Sequence, residues 1–261
     1  MIPYFDQPKL HLGPITIHAF GVLVAAGILL ALRLIRRRAP RLGLDPMQAE
    51  RLAMRMLVVA FIAAHVFDRI AYFPREVLAD PLSLLYIWES IGSFGGFLGA
   101  TVVAVLFMRG RSDALGWRYL DLIAYAFPLA WLLGRAGCAV AFDHPGLPTH
   151  FFLGQRFKDG VIRHNLGLYE ALYTIVLVVW FHRLGKGRAR GPGFFVGLLA
   201  FAYAPVRFFL DFLRIDDARY FGLTPGQYGS VVLVVVGLLI LRRAYRQEAK
   251  QTAPVGSASA P

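Results

Sequence analysis

The sequence predicts an all-α, polytopic membrane protein with seven transmembrane helices. Three observations predict it. The chain of 261 residues is 57% hydrophobic with a mean hydropathy of +0.55, and only 17% of its residues are charged. A soluble domain of this size carries more charge. The apolar residues fall into seven blocks, each near the roughly 20 residues that cross hydrocarbon as a helix. Basic residues alternate between the loops that join those blocks, as they do in polytopic proteins.

The seven blocks are residues 14–35, 50–73, 84–108, 119–142, 167–182, 192–213 and 227–242. The third contains Gly92-Ser93-Phe94-Gly95-Gly96, which predicts a break or close packing there. After the first block come Arg33, Arg36, Arg37, Arg38 and Arg41, and after the third Arg109, Arg111 and Arg118. Arg183, Lys186, Arg188 and Arg190 follow the fifth, and Arg242, Arg243, Arg246 and Lys250 the seventh. The opposite ends are poorer in basic residues, so the N-terminus is expected outside and the C-terminus in the cytoplasm. The net charge of +12 is then a consequence of topology, and no nucleic acid is needed to explain it. Residues 1–248 are expected to form a single seven-helix membrane domain, with 249–261, rich in Ala, Pro and Ser, as a disordered cytoplasmic tail. The single cysteine excludes an internal disulfide. The first apolar run lacks a basic leader and is long enough to remain as an anchor, so no cleavable signal peptide is expected.

That orientation gives each polar residue a depth. His18 and Phe20 fall in the outer part of the first block, His65, Asp68 and Arg69 in that of the second, and Glu89 in that of the third. Arg135 lies in the outer part of the fourth, within Gly134-Arg135-Ala136-Gly137-Cys138, with Asp143-His144-Pro145-Gly146 just beyond. Tyr169 and Glu170 open the fifth block, and Arg207 and Asp211 lie near the outer end of the sixth, with Arg214 just beyond. Chance would scatter such groups over both leaflets. Their convergence predicts one polar cavity in the outer half, lined by arginines and carboxylates.

An arginine at membrane depth costs a few kcal/mol and usually faces a partner or a cavity. A planar guanidinium is shaped to hold a phosphate, so a lipid phosphate is the first ligand to consider. Gly137 and Gly146 would let a ligand or backbone come close. Arg207, Asp211 and Arg214 share one helical face by their spacing. Asp211 alone cannot balance Arg135, Arg207 and Arg214, which predicts a missing anion. Bland readings stand beside these. Asp211 could belong to a salt-bridge ladder, and His65, Asp68 and Arg69 to a local ion-pair cluster. His18 could be an interfacial histidine, Cys138 a small packing residue, and His164, Tyr169 and Glu170 an interfacial anchor. The sequence has no Gly-x-Ser-x-Gly elbow, no His-Glu-x-x-His and no phosphate-binding loop. The expected chemistry is therefore anion binding, positioning and proton transfer, with no metal and no organic cofactor.

Several segments together resemble the bacterial prolipoprotein diacylglyceryl transferases, in collinear order over residues 10–246. They are Leu12-Gly13-Pro14-Ile15-Thr16-Ile17-His18-Ala19-Phe20-Gly21, Ala79-Asp80-Pro81-Leu82 and Ser93-Phe94-Gly95-Gly96-Phe97-Leu98-Gly99. The most specific is Gly134-Arg135-Ala136-Gly137-Cys138 through Asp143 and Gly146. Arg163-His164, Leu168-Tyr169-Glu170, and Arg207, Asp211 and Arg214 follow. The chain departs from the family's usual residues at Phe94 (His), Phe20 (Tyr), Cys138 (Asn), and Asp143 and Asp211 (both Glu). Either His65 or Arg69 aligns with an arginine the family often carries in the second block.

The resemblance implies transfer of the diacylglyceryl group of phosphatidylglycerol to the lipobox cysteine thiol of a preprolipoprotein, with glycerol phosphate leaving. It implies an enzyme of the bacterial inner membrane that meets membrane lipids and a signal-peptide segment. Catalytic roles are expected for Arg135, Arg207, Glu170 and Asp143. Substrate contacts are expected at Arg135, Gly137, Gly146, His164, Tyr169, Asp211 and Arg214. Phe94 leaves the third block without a histidine base, and Glu170 or His164 is the alternative. A non-catalytic phospholipid-binding homologue and a small anion transporter are the competing readings.

Overall fold

The computed structural model describes residues 1–13, 15–86, 92–187, 190–215 and 219–252. The chain is mostly helical: α1 (Ala19–Arg38), α2 (Pro46–Tyr72), α3 (Pro74–Ala79), α4 (Ser93–Met108), α5 (Asp113–Ala141), α6 (Leu166–Lys186), α7 (Phe194–Leu210) and α8 (Pro225–Thr252). Four helical stretches are long and apolar enough to cross a membrane on their own: Ala19–Arg38, Asp113–Ala141, Phe194–Leu213 and Pro225–Lys250. Gly95–Met108 is a shorter apolar helix. α8 runs to Thr252, past the point where composition placed the start of a tail, and residues 253–261 lie outside the described part.

The strands depart from an all-α expectation. β1 (Lys9–Leu12) and β2 (Ile15–His18) form an antiparallel hairpin, with Lys9 opposite His18 and Gly13 in a left-handed conformation. β3 (Pro145–Pro148), β4 (Gln155–Arg156) and β5 (Ile162–Asn165) form a sheet in the order β3-β5-β4. The three-stranded sheet lies outside the long apolar runs and the hairpin takes up the start of the first one, in Pro- and Gly-containing segments where strand pairing satisfies the backbone.

The chain divides into two compact units, Ile35–Ile123 and the remainder, Met1–Leu34 with Ala124–Pro261. In the first, α2 starts at a local cap: Asp45 accepts the Met47 N–H at 2.9 Å, and Pro46 occupies the first turn. α2 packs on α4 through glycines. A Cβ on Gly99 would lie 2.6 Å from the Ala63 Cβ and 2.8 Å from the Val59 oxygen. The glycine-rich stretch therefore serves close packing. Helix α4 begins at Ser93 instead of residue 84, and Glu89 and the Phe94 side chain lie outside the described part. Arg69 pairs with Glu76 of α3 at 3.1 Å, which places it in a local ion pair.

In the second unit, α7 and α8 meet through Gly197 and Gly237: a Cβ on Gly237 would come 2.7 Å from the Phe201 nitrogen. Gly27 of α1 comes as close to Ala130 of α5. Tyr125, Leu177, Phe181, Phe194, Phe195 and Leu198 form the buried core of this unit. That core holds α5, α6 and α7 together, and these three helices carry the site.

Candidate functional site

Each charged side chain of the site is placed by its own helix. Arg135 sits in the last two turns of α5, 5% exposed, and its guanidinium carbon stacks 4.4 Å from the Trp131 ring centroid, one turn earlier. Glu170 sits in the second turn of α6. That helix starts where it does because Asn165, fully buried, accepts the Leu168 N–H at 3.1 Å. The Asn165 amide also donates to the Ala139 oxygen at 2.9 Å and to Gln155 Oε1 at 2.6 Å, fixing the start of α6 against the end of α5. Gly167 completes the fit, since a Cβ there would lie 2.7 Å from the Ala139 nitrogen. Tyr203, Arg207 and Asp211 follow one another at four-residue spacing along the end of α7.

These elements bring Arg135, Glu170, Arg207 and Asp211 into one buried chain of charges. Glu170, 1% exposed, pairs through Oε2 with Arg135 Nε at 2.9 Å and through Oε1 with Arg207 Nη1 at 3.1 Å. The Tyr203 hydroxyl donates to Oε2 at 2.6 Å. Arg207 Nη2 pairs with Asp211 Oδ1 at 2.9 Å, and Asp211 Oδ2 accepts from the Thr224 hydroxyl at 2.7 Å. Gln227 locks that corner: its Oε1 accepts the Thr224 N–H and its Nε2 donates to the Phe208 oxygen. Gly226 leaves room for the Asp211 carboxylate, where any Cβ would collide with it.

The missing anion expected from the arginine count is thus a protein group, Glu170. Arg135 and Arg207 are balanced by Glu170 and Asp211. The backbone of Arg214 pairs with Gly146. Within the cluster Arg135 meets Glu170 through Nε.

The other expected residues are distributed unevenly. Gly146 is tightly enclosed, since a Cβ would lie 2.8 Å from the His164 Cβ and 3.0 Å from the Leu213 oxygen. Gly137 packs against Phe20, 2.9 Å from a virtual Cβ to the ring, so its open face meets protein. His164 Nδ1 and the Tyr169 hydroxyl share a hydrogen bond of 2.9 Å in an aromatic group with Phe151, apart from the Glu170 cluster. Asp143 is exposed, and its carboxylate makes no hydrogen bond or ion pair among the described residues. Cys138 packs against Gly167. His18 is exposed at the end of the N-terminal hairpin.

Sequence reasoning passed over Tyr203, Trp131, Thr224 and His144. The first two lie one turn before Arg207 and Arg135, so helical spacing alone pointed to them. Thr224 gave no such signal. His144 is half-buried, and burial together with the Arg135, Arg214 and Arg207 guanidiniums pushes its pKa down to about 3. Among the described residues no group of three or more His, Cys, Asp or Glu could hold a metal ion.

The family model for prolipoprotein diacylglyceryl transferase matches residues 8–243. The phosphatidylglycerol–prolipoprotein diacylglyceryl transferase of Solidesulfovibrio magneticus is 34% identical over 266 residues, covering 95% of this chain and 98% of that one. The protein of the same name from Escherichia coli K12 is 29% identical over 284 residues, covering 95% and 96%. Arg135, Glu170, Arg207 and Asp211 all fall within the matched stretch. The chain belongs to the prolipoprotein diacylglyceryl transferase family.

Proposed function

We propose that this chain transfers the diacylglyceryl group of phosphatidylglycerol to the lipobox cysteine thiol of a prolipoprotein, at the Arg135–Glu170–Arg207 cluster. The substrates are those in the names of its relatives. The observation that carries the site is the state of Arg135. Glu170 holds Nε and the Trp131 ring lies under the guanidinium, so this buried cation is fixed in place beside Arg207, which shares the same carboxylate. A phosphodiester carries one negative charge and accepts paired N–H donors from a guanidinium.

Arg135 and Arg207 hold the phosphate and offset the charge that grows on it as the bond to the glyceryl carbon breaks. The substrate's sulfur attacks that carbon, the carbon–oxygen electron pair stays with the phosphate, and glycerol phosphate leaves. Glu170 orients both arginines, and Asp211 holds Arg207. Gly146 and His164 shape the adjoining wall. Asp143 and Tyr169 line the approach, outside the ion cluster, and Gly137 lets Phe20 pack closely against α5. Seven spans, an external N-terminus, a cytoplasmic C-terminus and a place in the bacterial cytoplasmic membrane complete this reading. The alternation of basic loops supports them.

The test is direct. Purified protein is mixed with phosphatidylglycerol and a lipobox peptide, and the peptide mass is followed. Addition of a diacylglyceryl group as a thioether is expected. Lipid binding without product would replace the enzyme with a phospholipid-binding homologue.

A further inference from the structure

The transfer proposed above leaves the thiol proton without a destination. Glu170 is poorly placed to take it, because both its oxygens are engaged: Oε1 accepts from Arg207, and Oε2 accepts from Tyr203 and is ion-paired with Arg135. The Nδ1 atom of His164 is engaged with Tyr169.

His144 is arranged differently. The chain leaves α5 through Phe142, which adopts φ 59° and packs between the rings of Tyr4, Phe5 and Phe157. The next N–H, of Asp143, returns to the Cys138 oxygen at 3.3 Å. The His144 carbonyl accepts the Leu166 N–H at 3.2 Å, which pins it one turn before Glu170. Two residues on, Gly146 pairs with Arg214 and abuts Leu213, in the turn that follows α7. His144 is therefore clamped between the elements that carry Glu170 and Arg207. Its ring makes no hydrogen bond among the described residues.

The charged groups around it come from every neighbouring element: Arg135 of α5, Glu170 of α6, Arg207 of α7 and Arg214 beyond it. Asp143, next in the chain, is exposed. The imidazole is neutral at physiological pH, with a nitrogen lone pair available. An anion bound between the same arginines cancels part of their field and makes protonation of the ring easier.

We infer that His144 accepts the proton of the substrate thiol when a phosphodiester occupies the arginine cluster. This rests on the transfer reading. The S–H bond breaks, with its proton passing to an imidazole nitrogen. The sulfur–carbon bond forms as the carbon–oxygen bond breaks, and the imidazolium gives its proton to the departing glycerol phosphate. Atoms and charge balance without a further reagent.

The experiment compares wild type with His144→Gln on two lipobox peptides, one with cysteine and one with selenocysteine, whose selenol is already ionised at neutral pH. Phosphatidylglycerol binding is measured alongside. The variant is expected to bind lipid normally, to lose about 100-fold or more in rate on the thiol, and to keep most of its rate on the selenol. An undiminished thiol rate, or equal losses on both peptides with lipid binding intact, overturns the inference. If His144→Gln fails to bind lipid, His144→Asn is put through the same comparison. A wild-type protein that modifies neither peptide overturns the transfer reading, and this inference with it.

Discussion

Arg135 and Arg69 are both buried arginines near the ends of long helices, 5% and 7% exposed, yet they are compensated in different ways. Arg69 pairs with Glu76, seven residues on, whose side chain is 60% exposed, and lies over the Phe73 ring at 5.4 Å. Arg135 pairs with Glu170 from another helix, a carboxylate 1% exposed and shared with Arg207 and Tyr203. A local pair with one partner in solvent is cheap to form and contributes little. A shared, buried carboxylate is costly to assemble, because desolvation opposes its attraction. Burial of a cation alone therefore does not mark a site. Burial of the anion that holds two cations does.

The largest expected effect comes from removing that anion. Glu170→Ala leaves Arg135 and Arg207 facing each other, at a cost of about 3–5 kcal/mol. Thermal unfolding in detergent should show the drop, and a small shift would mean that solvent screens the cluster. Tyr203→Phe removes one charged hydrogen bond and should cost about 1.5–3 kcal/mol. A double-mutant cycle with Glu170→Gln should show strong coupling, whereas additive effects would separate Tyr203 from the cluster.

His144 gives this region a pH dependence. Its folded pKa, about 3, lies below the ordinary value of 6.5, so the unfolded chain binds the proton more readily. Stability should be level above about pH 6.5 and fall as the pH drops from there toward 3. His144→Gln should make that slope shallower, and an unchanged slope would assign it to other groups. The smallest effect is expected in the other unit. Glu76→Ala should cost about 0–1 kcal/mol, and a loss as large as that of Glu170→Ala would erase the contrast between the two arginines.

Much of this contrast was visible in the sequence. The apolar blocks locate the long helices because hydrophobic length is a local property: α6 and α7 begin and end within a few residues of their blocks, and α5 ends with its block but starts earlier, at Asp113. Arg135, Glu170, Arg207 and Asp211 stood out because charge in an apolar run is rare. Their pairing was harder to read. The sequence assigned Arg207 to Asp211 through helical spacing, but Glu170 reaches Arg135 and Arg207 only through the packing of three helices. Asp143 was grouped with them by proximity along the chain, yet the turn at Phe142 leaves it exposed. His144, its neighbour, is the more enclosed of the two, and its surroundings arise from residues distant in sequence. The short strands at both edges of the apolar runs had no periodic signal strong enough to identify them.

The most direct measurement is the lipid preference of Arg135→Gln against wild type, each in nanodiscs offering phosphatidylglycerol or phosphatidylcholine. Wild type should select the lipid with one net negative charge, and the variant should lose that selection while still melting cooperatively. A folded variant that retains the full preference would show that the guanidinium of Arg135 does not hold the phosphate.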